Sequence, residues 1–167
     1  MNCSEKDSLL AFIGLGSNLD NPAGQIEQAF ELIEELPESR VIARSSLYRS
    51  APFGPLEQPD FVNAVVSVMT SLAATALLEH LQRIECLQGR IRGNGRWGPR
   101  VLDLDLLVYG ETVIERPELL VPHPGIAARN FVLLPLCEIA PDLIVPNLGR
   151  VGDIEISNKE PQISRID

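Results

Sequence analysis

Cysteine is scarce in this chain: Cys3, Cys86 and Cys137 are the three in 167 residues, and none belongs to a Cys-x-x-Cys pair. Three unpaired thiols give no zinc site and suit a reducing compartment. No apolar run approaches the length of a membrane span. The first ten residues carry Glu5, Lys6 and Asp7 and lack the apolar centre of a signal peptide. No Gly-Lys pair occurs anywhere, so a Walker-type phosphate loop is absent. Lysine is nearly missing, with Lys6 and Lys159 standing against twelve arginines. Positive charge is in deficit as a whole, the net charge being −9. A general nucleic-acid binder is therefore disfavoured, because the phosphate backbone would be repelled. The expectation is a soluble, cytoplasmic protein with neither nucleic acid nor membrane as partner. At this length one domain over residues 1–167 is expected, large enough to bury a core.

Against that background one stretch reverses the sign. Arg90, Arg92, Arg96 and Arg100 put four positive charges into eleven residues without an acid. Arginine's planar fork matches phosphate oxygens with paired hydrogen bonds. Directly after it, Leu102, Leu104 and Leu106 alternate with Asp103 and Asp105, as a half-buried strand requires. Residues two apart on a strand lie roughly 6 to 7 Å apart on one face. Two carboxylates at that spacing can hold one or two hard cations. Taken singly, an Asp-x-Asp pair is often just a solvated face, and an arginine cluster an ion-pair network. Their adjacency, with Trp97 and Gly98-Pro99 between them, points to a site for a nucleotide–magnesium complex.

The rest of the chain alternates strands and helices. Ser8–Gly16 is a continuous apolar run, consistent with a buried first strand. The Gly14-Leu15-Gly16 that follows starts like a dinucleotide fingerprint but lacks its third glycine and distal acid. Asn21-Pro22 marks a helix start, and Ile26, Ala29, Phe30, Ile33 and Leu36 give it one apolar face, up to Pro37. Residues 40–50 read as a strand of imperfect alternation. Residues 51–60 hold three prolines and form a long loop, a kind that in compact domains is usually functional. Residues 61–70 form another strand, with Asn63 amid apolar neighbours as either a structural or a ligand-reading amide. Residues 71–88 form a second amphipathic helix packing through Leu77, Leu78, Leu81, Ile84 and Leu87, with Gly89 as its stop. His123, between Pro122 and Pro124, could reach a phosphate. Residues 125–140 predict a short helix and then an apolar one broken near Pro135. Residues 1–7 and 150–167 are expected to be loosely ordered. The order strand–helix–strand–strand–helix–strand is that of a ferredoxin-like α+β sandwich: a largely antiparallel sheet with helices packed on one face.

Arg96-Trp97-Gly98-Pro99-Arg100-Val101-Leu102-Asp103-Leu104-Asp105-Leu106-Leu107 resembles the signature of the 6-hydroxymethyl-7,8-dihydropterin pyrophosphokinases of folate biosynthesis. Further blocks resemble the same family in order and approximate spacing: residues 14–19, 45–49, 58–64, 82–85, 121–123, Arg129 and 138–141. The resemblance implies that the pterin's hydroxymethyl oxygen attacks the β-phosphorus of ATP and that AMP leaves. It assigns two Mg2+ to Asp103 and Asp105, and charge neutralisation on the transferred group to Arg90 and Arg100. Gln82, Arg92, Leu106, His123 and Arg129 match positions that hold ATP. The pterin would stack between Phe61 and Phe131, with Asn63 reading its edge and backbone near Ser50 and Phe53 completing the pocket. Trp97 would close over it as residues 51–60 and 90–100 move in. A single-function monomer is expected.

Phe61 and Pro124 stand where members of the family often carry tyrosine, and the Pro117-Glu118 segment is less basic than usual. Phe61 keeps the stacking face without the hydroxyl, and Pro124 and Glu118 bear on the finer ATP contacts. Two other readings remain open. One is a metal-dependent glycosyl- or nucleotidyltransferase using Asp103 and Asp105, although such folds usually need a longer chain. The other is a ferredoxin-like RNA-binding module, which would need aromatics among basic residues on the face that Asp103 and Asp105 occupy.

Overall fold

The structure, a computed structural model, describes residues 7–52, 57–89, 101–155 and 161–166. Strand β1 (Leu9–Ser17) is the first apolar run. Helix α1 (Pro22–Glu34) starts at the expected proline. Asn21 before it is left-handed, at φ 64°, and caps through its carbonyl, which accepts from Gln25 N–H at 3.0 Å, while its side chain makes no capping bond. Residues 40–50 are two strands rather than one, β2 (Ser39–Arg44) and β3 (Leu47–Ser50). The break falls at Ser45-Ser46, where Ser45 bonds sideways to Val65 through both its N–H and its Oγ. Strand β4 (Phe61–Thr70) and helix α2 (Ala74–Leu87) follow, and Gly89 ends the helix at φ 92°, a conformation that favours glycine. Strand β5 (Asp103–Tyr109) is the aspartate strand. A hairpin of β6 (Ile114–Arg116) and β7 (Leu119–Val121) leads to helix α3 (Asn130–Ile139). A small hairpin of β8 (Ile144–Val145) and β9 (Gly149–Arg150) and a 3-10 turn at Val151–Asp153 precede the last strand, β10 (Ile163–Ile166).

Six strands form one antiparallel sheet in the order β10-β3-β4-β1-β5, with β2 paired to the far half of β4. Counting β2 and β3 as one broken strand, the central order is the ferredoxin-like arrangement expected from the sequence. Side-chain alternation divides the sheet into two faces. Leu15, Val62, Ala64, Val66, Leu104 and Leu106 point to one of them, where α1 and α2 bury Ile26, Ile33, Leu77 and Leu81. Each such aliphatic side chain contributes about 1.5–3 kcal/mol by leaving water.

The other face is covered as well, so the helices do not all lie on one side. Phe12, Val65, Leu107 and Val108 pack there against Val132, Leu133 and Leu136 of α3. Pro135 does not break α3. It lies buried inside the helix, and its missing N–H removes only the bond that would reach the Phe131 carbonyl. Leu87, expected on the packing side of α2, is 74% exposed at the helix end. The tail also differs from expectation: residues 163–166 pair in full register with β3.

One carboxylate ties α3 to the broken edge of the sheet. Glu138 accepts from Ser46 N–H at 2.8 Å, Ser46 Oγ at 2.6 Å and Tyr48 Oη at 3.0 Å. Burial alone would raise its pKa, but the Ser46 and Tyr48 bonds and the Arg165 charge outweigh that and hold it below the ordinary carboxylate value. Tyr48, half-buried and donating to this carboxylate, is pushed up to about 12. A depressed carboxylate contributes stability above its unfolded pKa and loses it as pH falls through its folded one. Glu138→Ala is therefore expected to lower the unfolding free energy by about 1–3 kcal/mol at pH 7. Urea titrations should show the gap between variant and parent shrinking below the ordinary carboxylate pKa.

Candidate active site

The central strand β1 has two glycines facing α3's side of the sheet, and the register fixes their neighbours. Gly16 lies between Asn63 on β4 and Asp103 on β5, and Gly14 lies between Val65 and Asp105. Two strand spacings, roughly 10 Å, thus separate Asn63 from Asp103, and no side chain rises from the strand between them. A Cβ on Gly16 would stand 3.5 Å from Asn63 Oδ1, and one on Gly14 would meet Leu107 at 3.4 Å. Gly16 makes a floor between an amide and a carboxylate, and beside it the Leu107 side chain covers Gly14.

At the amide end, Asn63 is buried and its Nδ2 donates to Ser50 Oγ at 2.8 Å. That bond turns Oδ1 toward the floor, where it can accept from a donor on a ligand. Phe61 shares this face by alternation and pairs with Ser50 across the strands. Phe131, the second residue of α3, is half-buried on the same side of the sheet, with the Arg129 guanidinium 6.0 Å from its ring centre. Asn18, at the end of β1, donates to Gln58 Oε1 at 2.9 Å and to the Pro59 carbonyl at 3.0 Å, tying down the residues that lead into β4.

At the carboxylate end, Asp103 and Asp105 are half-buried neighbours on one face. The peptide between them is held from behind, because Leu104 N–H donates at 3.1 Å to Glu85, a carboxylate of α2 that is only 3% exposed. A bulge follows: β1 pairs Ile13 with Leu106 and Phe12 with Val108, leaving Leu107 as an extra residue. The Leu107 carbonyl accepts from His123 N–H at 2.8 Å, which brings the imidazole beside the aspartates. His123 Nδ1 accepts from Gly125 N–H at 2.9 Å, so the remaining proton sits on Nε2. Burial, then the charge of Arg129, lowers its pKa, against the opposing charge of Asp103. A neutral imidazole presenting an N–H donor is the result.

The structure thus gathers Ser50, Phe61, Asn63, Asp103, Asp105, His123, Arg129 and Phe131 on one face. Leu106 is different: its side chain is buried in the core of the opposite face, so only its backbone is open to a ligand. Gln82 is exposed on α2, where it lines an open depression of about 560 Å3 with Glu79, Arg83, Cys86 and Leu87. Phe53, Arg90, Arg92, Trp97 and Arg100 lie outside the described residues. Sequence reasoning gave no role to Glu85, Gly16 or Asn18. Glu85 had a signal, an acid four residues after buried Leu81 on the packing side of α2. Gly16 had one too, as part of the 14–19 block, which singled it out without giving it a task.

Among the described residues no third acid, histidine or cysteine joins Asp103 and Asp105 in a group able to hold a metal, so the pair forms an oxygen-only donor set. That fits Mg2+, which takes few carboxylates and completes its shell with phosphate oxygens and water. Asp103 and Asp105 would hold it.

The model of the 7,8-dihydro-6-hydroxymethylpterin-pyrophosphokinase family matches residues 12–141. A 2-amino-4-hydroxy-6-hydroxymethyldihydropteridine pyrophosphokinase of Pseudomonas aeruginosa is 52% identical over 136 residues, covering 81% of this chain and 83% of its own. The Haemophilus influenzae protein of the same name is 48% identical over 139 residues, covering 83% and 86%. Among solved structures, the Plasmodium falciparum HPPK-DHPS matches 91% of this chain at a TM-score of 0.71 and 15% identity. This chain spans less than half of that one, 46%, and the likeness concerns the fold. A family match over most of the chain, with relatives near half identical, places this protein in the 7,8-dihydro-6-hydroxymethylpterin pyrophosphokinase family.

Proposed function

We propose that this chain transfers the pyrophosphoryl group of ATP to the hydroxymethyl oxygen of 6-hydroxymethyl-7,8-dihydropterin, releasing AMP, in folate biosynthesis. Family membership supports the reaction. The observation that carries the residue assignment is the register Asn63–Gly16–Asp103. A flat heterocycle lies over the glycine floor with its donor edge on Asn63 Oδ1 and its faces toward Phe61 and Phe131. Its exocyclic oxygen then points along the floor toward the aspartates. Asp103 and Asp105 would hold two Mg2+, which would supply Lewis-acid stabilisation of the triphosphate charge. Glu85 keeps the two aspartates in phase by holding the peptide between them. His123 donates its Nε2–H to a phosphate oxygen, and Arg129 adds positive charge beside it. The Leu106 backbone and Gln82 complete the nucleotide side. Arg90, Arg92 and Arg100 bring the cationic donors that the resemblance implies, and Trp97 and Phe53 close the pterin end. The protein supplies position and electrostatics and needs no nucleophile of its own. One domain acting as a cytoplasmic monomer completes the reading; no described helix is long and apolar enough to cross a membrane.

Phosphorus NMR with ATP, Mg2+ and the dihydropterin alcohol tests the reaction: AMP and a pyrophosphate ester should appear together, and ADP instead would overturn it. Asp105→Asn is expected to lower kcat by at least a hundredfold, and near-normal turnover at saturating Mg2+ would remove the metal assignment. Gly16→Ala should fold, since its Cβ meets only an ordinary contact, yet raise the KM for pterin by tenfold or more while leaving that for ATP within twofold. Nitrogen NMR should find His123 in the Nε2–H form at pH 7, titrating below 6.5.

A further inference from the structure

Strand β10 has little of its own to hold it in place. Residues 161–166 read Pro-Gln-Ile-Ser-Arg-Ile, and Ile163 and Ile166 are only half-buried. Its bonds, however, go to both walls of the groove's amide end. On the sheet side it pairs with β3, Ile163 lying opposite Ser50, and the Gln162 carbonyl accepts from Ala51 N–H at 3.2 Å. Ser50 is the residue whose Oγ orients Asn63. On the helix side the Pro161 carbonyl accepts from Asn130 Nδ2 at 2.6 Å. Asn130 is the first residue of α3 and the immediate neighbour of Phe131. Its side chain is 3% exposed, and among the described residues its Oδ1 is buried without a hydrogen-bond partner. A buried amide with one end unsatisfied is costly, so what it does here is hold Pro161.

We infer that β10 is a positioning element for the pterin end of the groove, linking the exit of β3 to the first turn of α3 through Gln162 and Pro161. Asn130 is a positioning residue in this scheme, acting through the tail on the separation between the Asn63 edge and the Phe131 ring. Stacking and edge recognition depend on that separation to a fraction of an ångström. Most of the nucleotide end is built on β5 and the residues around His123, and it meets these bonds only at Arg129, the residue before Asn130.

The inference rests on the pterin reading of the groove, and the test separates the two. Asn130→Ala in the full-length chain is followed by kinetics and by hydrogen exchange of the Ala51 amide, a readout that needs no substrate. The expected result is faster exchange at Ala51, a five- to tenfold rise in the KM for the dihydropterin, and kcat and the KM for Mg–ATP within twofold of the parent. Ser164→Pro, which strikes the strand without touching α3, should repeat that selective rise; if it does not fold, Asn130→Ala decides. Arg165→Ala, which removes the 3.7 Å contact with Glu138 at the far end, should leave the pterin KM within twofold. Unchanged Ala51 exchange would show that the tail holds nothing. Faster exchange with an unchanged pterin KM, or with both KM values rising together, would reduce β10 to a stabilising strand. No pterin turnover in the parent would overturn the functional reading and this inference with it, while the exchange result would still report on the brace.

Discussion

A strand hydrogen-bonded on both sides has no freedom in where its side chains fall, and that constraint on β1 organises the molecule. β1 is paired to β4 along its whole length and to β5 along most of it. The identity of one residue on β1 thereby sets the distance between a residue on β4 and one on β5. A glycine at such a position turns a packed surface into a floor. The amide and the carboxylates then stand on one face of the sheet, although they are forty residues apart in the chain.

The same alternation separates stability from chemistry. On β4 and β5 the even-numbered residues from Val62 to Val68 and from Leu102 to Leu106 belong to the core under α1 and α2. Asn63, Asp103 and Asp105 project the other way. Each of these side chains therefore has a buried neighbour one residue away that anchors its strand in the core. Glu85 extends the arrangement. It reaches from the core side to the backbone between the aspartates, so the pair is braced from behind.

Much of this was legible in the chain. Period-two alternation marked β4 and β5, and helical spacing marked α1 and α2, because each pattern is imposed by a single large core. The side-chain chemistry of Asp103 and Asp105 was equally plain. What could not be read were the meetings between distant segments. The blocks at 45–49 and 138–141 both stood out, yet nothing in either says that Glu138 receives Ser46 and Tyr48. An apolar helix does not state which face of a sheet it covers, so the place of α3 opposite α1 and α2 could not be read. β10 was missed because a short polar strand derives its order from its partner rather than its composition. Leu87 was misjudged because the apolar period of α2 continues past the point where there is anything to pack against. Pro135 was taken for a break because the local rule ignores that packing on the sheet can carry a helix through one lost bond.

The bulge at Leu107 has a consequence for how such a chain can change over generations. Because one extra residue shifts the phase of β5, both Leu107 and Val108 turn toward α3 while Asp105 keeps its place over Gly14. Substitutions along this strand alter one side chain at a time and leave the phase intact. A change in length does not: loss of a single residue between Asp105 and Val108 would realign the strand beyond it and withdraw the carbonyl on which His123 hangs. The strand is thus open to drift in spelling and closed to drift in length, and lineages of this enzyme should record their insertions in the loops.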